Sequence, residues 1–202
     1  MKFFNAKEQY TVVPAYWIII FDSTLKGAVD GSNHLIEFCK SKKLAYMSVD
    51  ITQPNAWNLL VQKGKSKLVN QPLALYFACH GGMSFGGVSL VSANGVAYSL
   101  TDLIDGRALY PCAFILDSCQ TLINTTAEDI QGSCLVAQSA PTRRVAWDNT
   151  KYIQCLVKEF NQPAQPLHSA IANAHRHFSN ENMGELPILK VYGSFPIDSY
   201  FW

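Results

Sequence analysis

Apolar residues come in short, nearly unbroken runs, separated by stretches where they recur every three or four positions. "AYWIIIFD" (15–22), "AYMSVDIT" (45–52), "LALYFACHGG" (73–82), "CAFILDSC" (112–119) and "SCLVAQSAP" (133–141) have the length and composition of strands buried on both faces. Between them, "VDGSNHLIEFCKSKKL" (29–44) places Leu35, Ile36, Phe38 and Cys39 on one helical stripe, with Ser32 or Asn33 able to cap it. "NAWNLLVQKGKSK" predicts a second helix that runs into a basic loop. "KYIQCLVKEF" and "PLHSAIANAHRHF" predict two amphipathic helices late in the chain. "GVSLVSANGVAYS" alternates on either side of Asn94-Gly95, a pair suited to a type I′ turn, and predicts a hairpin. "TDLIDG" predicts a short helix capped by Thr101, and "LPILKVYGS" a last strand. Strands alternating with helices predict an α/β fold, a mostly parallel central sheet with helices on both faces.

Composition narrows the function. With 202 residues and 49% apolar side chains, residues 1–202 are expected to form a single domain. The formal net charge is +1, which gives no electrostatic footing for nucleic acid or an anionic membrane. "WIIIF" is too short to span a bilayer, and "MKFFNAKEQY" lacks the apolar region of a signal peptide. The six cysteines form no CxxC pair and lie mostly in apolar runs. They predict reduced thiols and a cytoplasmic protein. His168, His175 and His177 lack the i, i+4 spacing of a helical zinc site and are expected to face solvent, so no metal and no cofactor is predicted.

In a parallel sheet, ligands gather at the carboxyl ends of the strands. His80 follows one predicted strand and Cys119 ends another. If those strands are neighbours, their ends lie about 5 Å apart and thiol and imidazole overhang one crevice. A free thiol has a pKa of about 8.5, and a nearby imidazole can take its proton and later protonate a leaving amine. The N–H groups of Gly81 and Cys119 could then face a developing oxyanion. These parts suit acyl transfer, most simply peptide-bond hydrolysis.

The chain resembles the caspase-like cysteine peptidases, the group of caspases, metacaspases, clostripain-type peptidases and CHAT domains. The likeness runs from about residue 15 to 160. "FACHGG" resembles their strand-His-Gly element and "FILDSCQT" their strand ending in the nucleophilic cysteine, with a gap shorter than the ~50 residues of caspases. "GAVDGSNHLIEFCKSKKLAYMSVDIT" is similar to the caspase stretch from first helix through second strand. "SAPTRRVAWDNTKYIQCLVKEF" is similar to the segment after the nucleophile, where Ser-Trp-Arg precedes a Phe-Ile-Gln helix. The resemblance implies a caspase-hemoglobinase fold and a Cys119–His80 dyad. By analogy with prokaryotic relatives, it points to a defence or regulated-death pathway.

Departures from the caspase pattern bear on specificity. Caspases hold a P1 aspartate, the residue before the cut, with arginines. Here Ser23-Thr24-Leu25-Lys26 follows the first strand, and Asp148 stands after Trp147 where caspases carry arginine. Caspases carry glutamine two residues before the cysteine. This chain has Asp117, as metacaspases and clostripain-type enzymes have an acid, and those cut after Arg or Lys. Residues 117 and 119 of a regular strand share a face, so the Asp117 carboxylate is expected beside the nucleophile, where it would pair with a basic P1. Asp117 is the expected pocket base, Asp148 its wall, and Trp147 a substrate-groove aromatic. "QTLINTTAEDIQG", in place of the caspase activation linker, has no Lys or Arg, so self-cleavage there is not expected. "QKGKSK" and "TRR" are the candidate self-cleavage places. Activity as a single chain, as in CHAT domains and many bacterial relatives, is the expectation, with activation by a partner or a homodimer as the alternative, and the substrate is a protein or peptide.

Two rivals remain. A catalytically silent scaffold of the same fold is countered by the presence of both Cys119 and His80. A flavodoxin-like binder needs a glycine-rich phosphate loop after the first strand, which "FDSTLKGAVDG" does not supply.

Overall fold

The computed structural model describes residues 15–63, 71–84, 87–91, 95–99, 111–119, 134–140, 150–163, 165–181, 187–193 and 195–197. Strands β1 (Tyr16–Phe21), β2 (Tyr46–Asp50), β3 (Leu73–Ala78), β7 (Cys112–Cys119), β8 (Cys134–Ala140) and β9 (Ile188–Tyr192) form one sheet in the order β2-β1-β3-β7-β8-β9. Every pairing is parallel except β8 with β9, which is antiparallel. A second sheet of β4 (Gly81–Ser84), β5 (Gly87–Val91) and β6 (Ala97–Ser99) is antiparallel. Helices are α1 (Lys26–Ser41), α2 (Ala56–Lys63), α3 (Lys151–Phe160) and α4 (Leu167–Glu181). The predicted hairpin is present as β5 and β6, with Val91 opposite Ala97 and Gly95 at φ 70°, and Asn94 lies outside the described residues. The predicted helix at "TDLIDG" and the loops "QKGKSK" and "TRR" lie outside the described residues.

Alternation along the strands divides the core. One face presents Trp17, Ile19, Tyr76, Ile115, Leu135 and Ala137 to α1, α3 and α4. There Trp17, Phe38 and Phe160 join sheet to helices through ring centroids 5.5–5.9 Å apart. The other face presents Ile18, Ile20, Phe77, Phe114 and Val136, covered in part by Trp57 and Leu60 of α2. Trp57 stacks on Tyr98 of β6 at 4.9 Å, which ties the small sheet to this layer.

Two element boundaries differ from expectation. Helix α1 begins at Lys26, so Ser32 and Asn33 are interior positions and neither caps it. Its start is instead organised by Asp22, whose carbonyl accepts from the Leu25 N–H at 3.1 Å. The buried stripe is Ala28, Gly31, Ser32, Leu35, Phe38 and Cys39, a regular helical spacing. The third strand stops at Ala78, before His80. The chain then leaves the main sheet and pairs from Gly81 with β5.

Gly31 of α1 packs directly against the Tyr76 hydroxyl of the sheet and Ile153 of α3. A methyl group there would lie 2.9 Å from the Tyr76 hydroxyl and 3.2 Å from Ile153 Cγ2. Gly31→Ala is therefore expected to lower stability by about 1–3 kcal/mol through overpacking, although alanine is the better helix former by about 1 kcal/mol. Urea unfolding of the two proteins checks this.

Candidate active site

Strands β3 and β7 are adjacent and parallel, and their register runs without interruption to Ala78 opposite Asp117. His80 and Cys119 each stand two residues beyond that last pair, at the same carboxyl edge of the sheet. His80 is exposed, and its carbonyl accepts from the Cys79 thiol at 2.9 Å. Gly81 opens β4 opposite Leu90, and β4 lies against β7. Cys119 is the last residue of β7 and pairs with Ala140 of β8. Its side chain, like Trp147 and Asp148, lies outside the described residues. Between Leu116 and Cys119 the register against β8 shifts by one residue, a β-bulge. The simple alternation that would set residues 117 and 119 on one face is interrupted there.

Asp117 faces the helical layer. Its Oδ2 accepts from the Tyr76 hydroxyl at 3.0 Å. Desolvation raises its pKa from 3.8 to about 6, against a lowering by the hydroxyls of Ser139 and Tyr76. Tyr152 of α3 also feels this carboxylate. Burial first, then the charge of Asp117, push its phenol well above the ordinary range. Tyr152 in turn shares a hydrogen bond of 2.9 Å with Nε2 of His175.

His175 departs from expectation. It is buried at 7% exposure, whereas the His177 side chain is 51% exposed and stands 3.5 Å from Glu159. Loss of hydration lowers the His175 pKa from 6.5 to about 4. The unfolded chain thus binds a proton that the native chain does not, between pH 6.5 and 4. Stability from this residue is present above pH 6.5 and is lost as pH falls through that window. His175→Gln, which keeps a polar group for Tyr152 and cannot titrate, is expected to flatten this part of the stability curve in pH-dependent denaturation.

The edge beyond β1 and β2 is a network of acids and hydroxyls. Asp22 is fully buried and accepts from Thr24 through N–H at 2.9 Å and hydroxyl at 2.6 Å. Asp50 accepts from the Thr52 hydroxyl at 2.7 Å, the Thr52 N–H at 3.0 Å and Gln53 Nε2 at 3.0 Å. Burial alone would raise the Asp50 pKa, but these donors and Ser23 outweigh it and hold it at about 2. Ser23 and Thr24, of the Ser23-Thr24-Leu25-Lys26 stretch that follows β1, belong to this network. A separate groove lined by Asp30, Asn33, His34, Glu37 and Thr150 contains neither His80 nor Asp117.

No group of His, Cys, Asp or Glu among the described residues is arranged to hold a metal. Cys39, Cys79, Cys112, Cys134 and Cys155 are buried and form no disulfide. Burial pushes the Cys39 pKa up to about 12. No described helix is long and apolar enough to cross a membrane.

The strand order, the antiparallel β9 and the small sheet rising beside β7 define a caspase-like α/β fold. The crystal structure of the Drosophila initiator caspase Dronc matches with a TM-score of 0.66 over 93% of this chain and 82% of that chain, at 16% identity. No family model and no curated protein matches the sequence. At this identity the likeness concerns the fold.

Proposed function

We propose that the protein is a cysteine endopeptidase that cuts protein or peptide substrates after Arg or Lys. The observation that carries this reading is the parallel register of β3 and β7, which brings residues 80 and 119 to one edge of the sheet. His80 removes the Cys119 thiol proton, and the thiolate attacks the carbonyl carbon of the scissile bond. The N–H groups of Gly81 and Cys119 hold the oxyanion. Collapse expels the amine, which takes the proton from His80 and leaves a thioester. Water then attacks the thioester with His80 as base, releasing the carboxylic product and restoring the thiol.

The basic P1 preference rests on Asp117, a half-buried carboxyl whose neighbours on β3 and β8 are hydroxyls. An incoming guanidinium or ammonium supplies a countercharge. On the sequence pattern Asp148 is the pocket wall and Trp147 a substrate-groove aromatic. A homodimer or a separate activating protein is the proposed route of activation, and a defence or regulated-death pathway the proposed setting.

The test is a P1-scanning fluorogenic peptide library, run on wild type and Cys119→Ala. Cleavage after Arg and Lys by the wild type alone is expected. A preference for Asp at P1 would overturn the pocket assignment. Equal signal from both proteins would overturn the catalytic one.

A further inference from the structure

We propose that Tyr76 and Ser139 are the positioning residues of the P1 acid. The Tyr76 hydroxyl on β3 holds Asp117 Oδ2 in a fixed orientation toward an incoming cation, and Ser139 on β8 stands in reserve as a second buried donor. This deepens the basic-P1 reading and rests on it.

Tyr76 is wholly buried in a run that is otherwise aliphatic or aromatic without polar atoms, "LALYFA". A phenol in such a strand must find a partner or lose the hydration of its hydroxyl. Its partner is Asp117 Oδ2 at 3.0 Å. The ring cannot swing away, because α1 lies over the hydroxyl at Gly31. Ser139 follows Leu135 and Ala137 on the same face of β8 and is 3% exposed. Its hydroxyl is close enough to lower the Asp117 pKa, yet no hydrogen bond of good geometry is formed by its Oγ. It is a buried donor in reserve beside a carboxylate. When the carboxyl turns to receive a cation, Ser139 can replace or supplement the Tyr76 bond without a new desolvation cost.

The surroundings of Asp117 are otherwise simple. Tyr76 comes from β3, and Tyr152 from α3 with His175 of α4 behind it. At α1, Gly31 lies against the Tyr76 hydroxyl rather than adding a titrating group. Among the described residues the groups coupled to Asp117 are thus two phenols and hydroxyls. The phenols stay neutral below pH 10. Loss of a hydroxyl donor therefore destabilises the ionised carboxyl without changing any neighbouring charge.

Two measurements test the proposal. In the first, KM for an Arg-P1 peptide is followed against pH and compared with KM for a norleucine-P1 peptide. Tyr76→Phe is expected to raise the Arg KM about 10-fold relative to the norleucine KM and to move its pH midpoint up by about one unit. Ser139→Ala does the same to a smaller extent, and Ser139→Thr restores the wild-type profile. In the second, the stability difference between each protein and its Asp117→Asn derivative is measured against pH. Its midpoint reads the Asp117 titration directly and is expected to rise in Tyr76→Phe and in Ser139→Ala. An unshifted midpoint in both variants overturns the proposal. If the midpoints shift while the wild type shows no preference for a basic P1, the hydroxyl clamp stands and the proposed specificity falls.

Discussion

Replacing Cys119 with alanine is expected to lower hydrolysis of Arg-P1 peptides by roughly 10⁴-fold or more while leaving their binding nearly intact. The chain carries six cysteines, and five are buried and outside any disulfide. Cys39, with a pKa of about 12, is no nucleophile at neutral pH. Cys79, Cys112 and Cys134 lie in the layer opposite the one Asp117 faces, and Cys155 is on α3. None stands at the carboxyl edge in β7. His80→Ala should cost about as much, because thiol and imidazole act as a unit, and the double variant should be little worse than either alone. A stopped assay on the three variants with matched far-ultraviolet spectra separates this from misfolding. Near-additive losses would mean that the two residues do not share a step.

The second large effect concerns Asp117. Asp117→Asn should lower kcat/KM for Arg-P1 peptides by roughly 100-fold and nearly abolish the preference over neutral P1, since a desolvated charge pair loses one partner. The same substitution should make the protein more stable at neutral pH. In the native chain the Asp117 pKa is raised from 3.8 to about 6. Between those values the native state binds more protons than the unfolded state, so stability falls as pH rises through the window and stays low above it. The shift corresponds to about 3 kcal/mol at most. Partial exposure of the side chain reduces the expected gain of Asp117→Asn above pH 6 to about 1–2 kcal/mol. Weaker binding together with greater stability is the pattern of a residue kept for function against the interest of the fold. A variant that loses stability without changing P1 preference would make Asp117 a structural carboxylate.

The sheet was legible in the sequence because its strands are buried on both faces. A continuous apolar run such as "LALYFA" or "AFIL" has no other easy home at that length. Adjacency of β3 and β7 was not legible, since several strand orders satisfy the same pattern. The start of α1 was hidden by its glycines. Gly27 and Gly31 lower helix propensity, and Ser32 has the chemistry of a cap. Only the sheet beneath explains Gly31, which makes room for the Tyr76 hydroxyl. The burial of His175 was not legible for a related reason. The face of α4 that is buried depends on where α3 lies, and Tyr152 is 23 residues away. The clamp around Asp117 joins residues 41 positions apart. The one local signal was a lone tyrosine in a strand with no other polar atom. The bulge near Cys119 leaves no trace in the residue pattern, yet it re-aims the end of β7.

The most direct measurement is the alkylation rate of Cys119 against pH, read residue by residue by mass spectrometry in wild type and His80→Ala. An imidazole in contact with the sulfur predicts a wild-type midpoint well below the ~8.5 of a free thiol, and its return toward that value in the variant. Superimposable profiles in the two proteins would mean that residues 80 and 119 share an edge of the sheet without sharing chemistry.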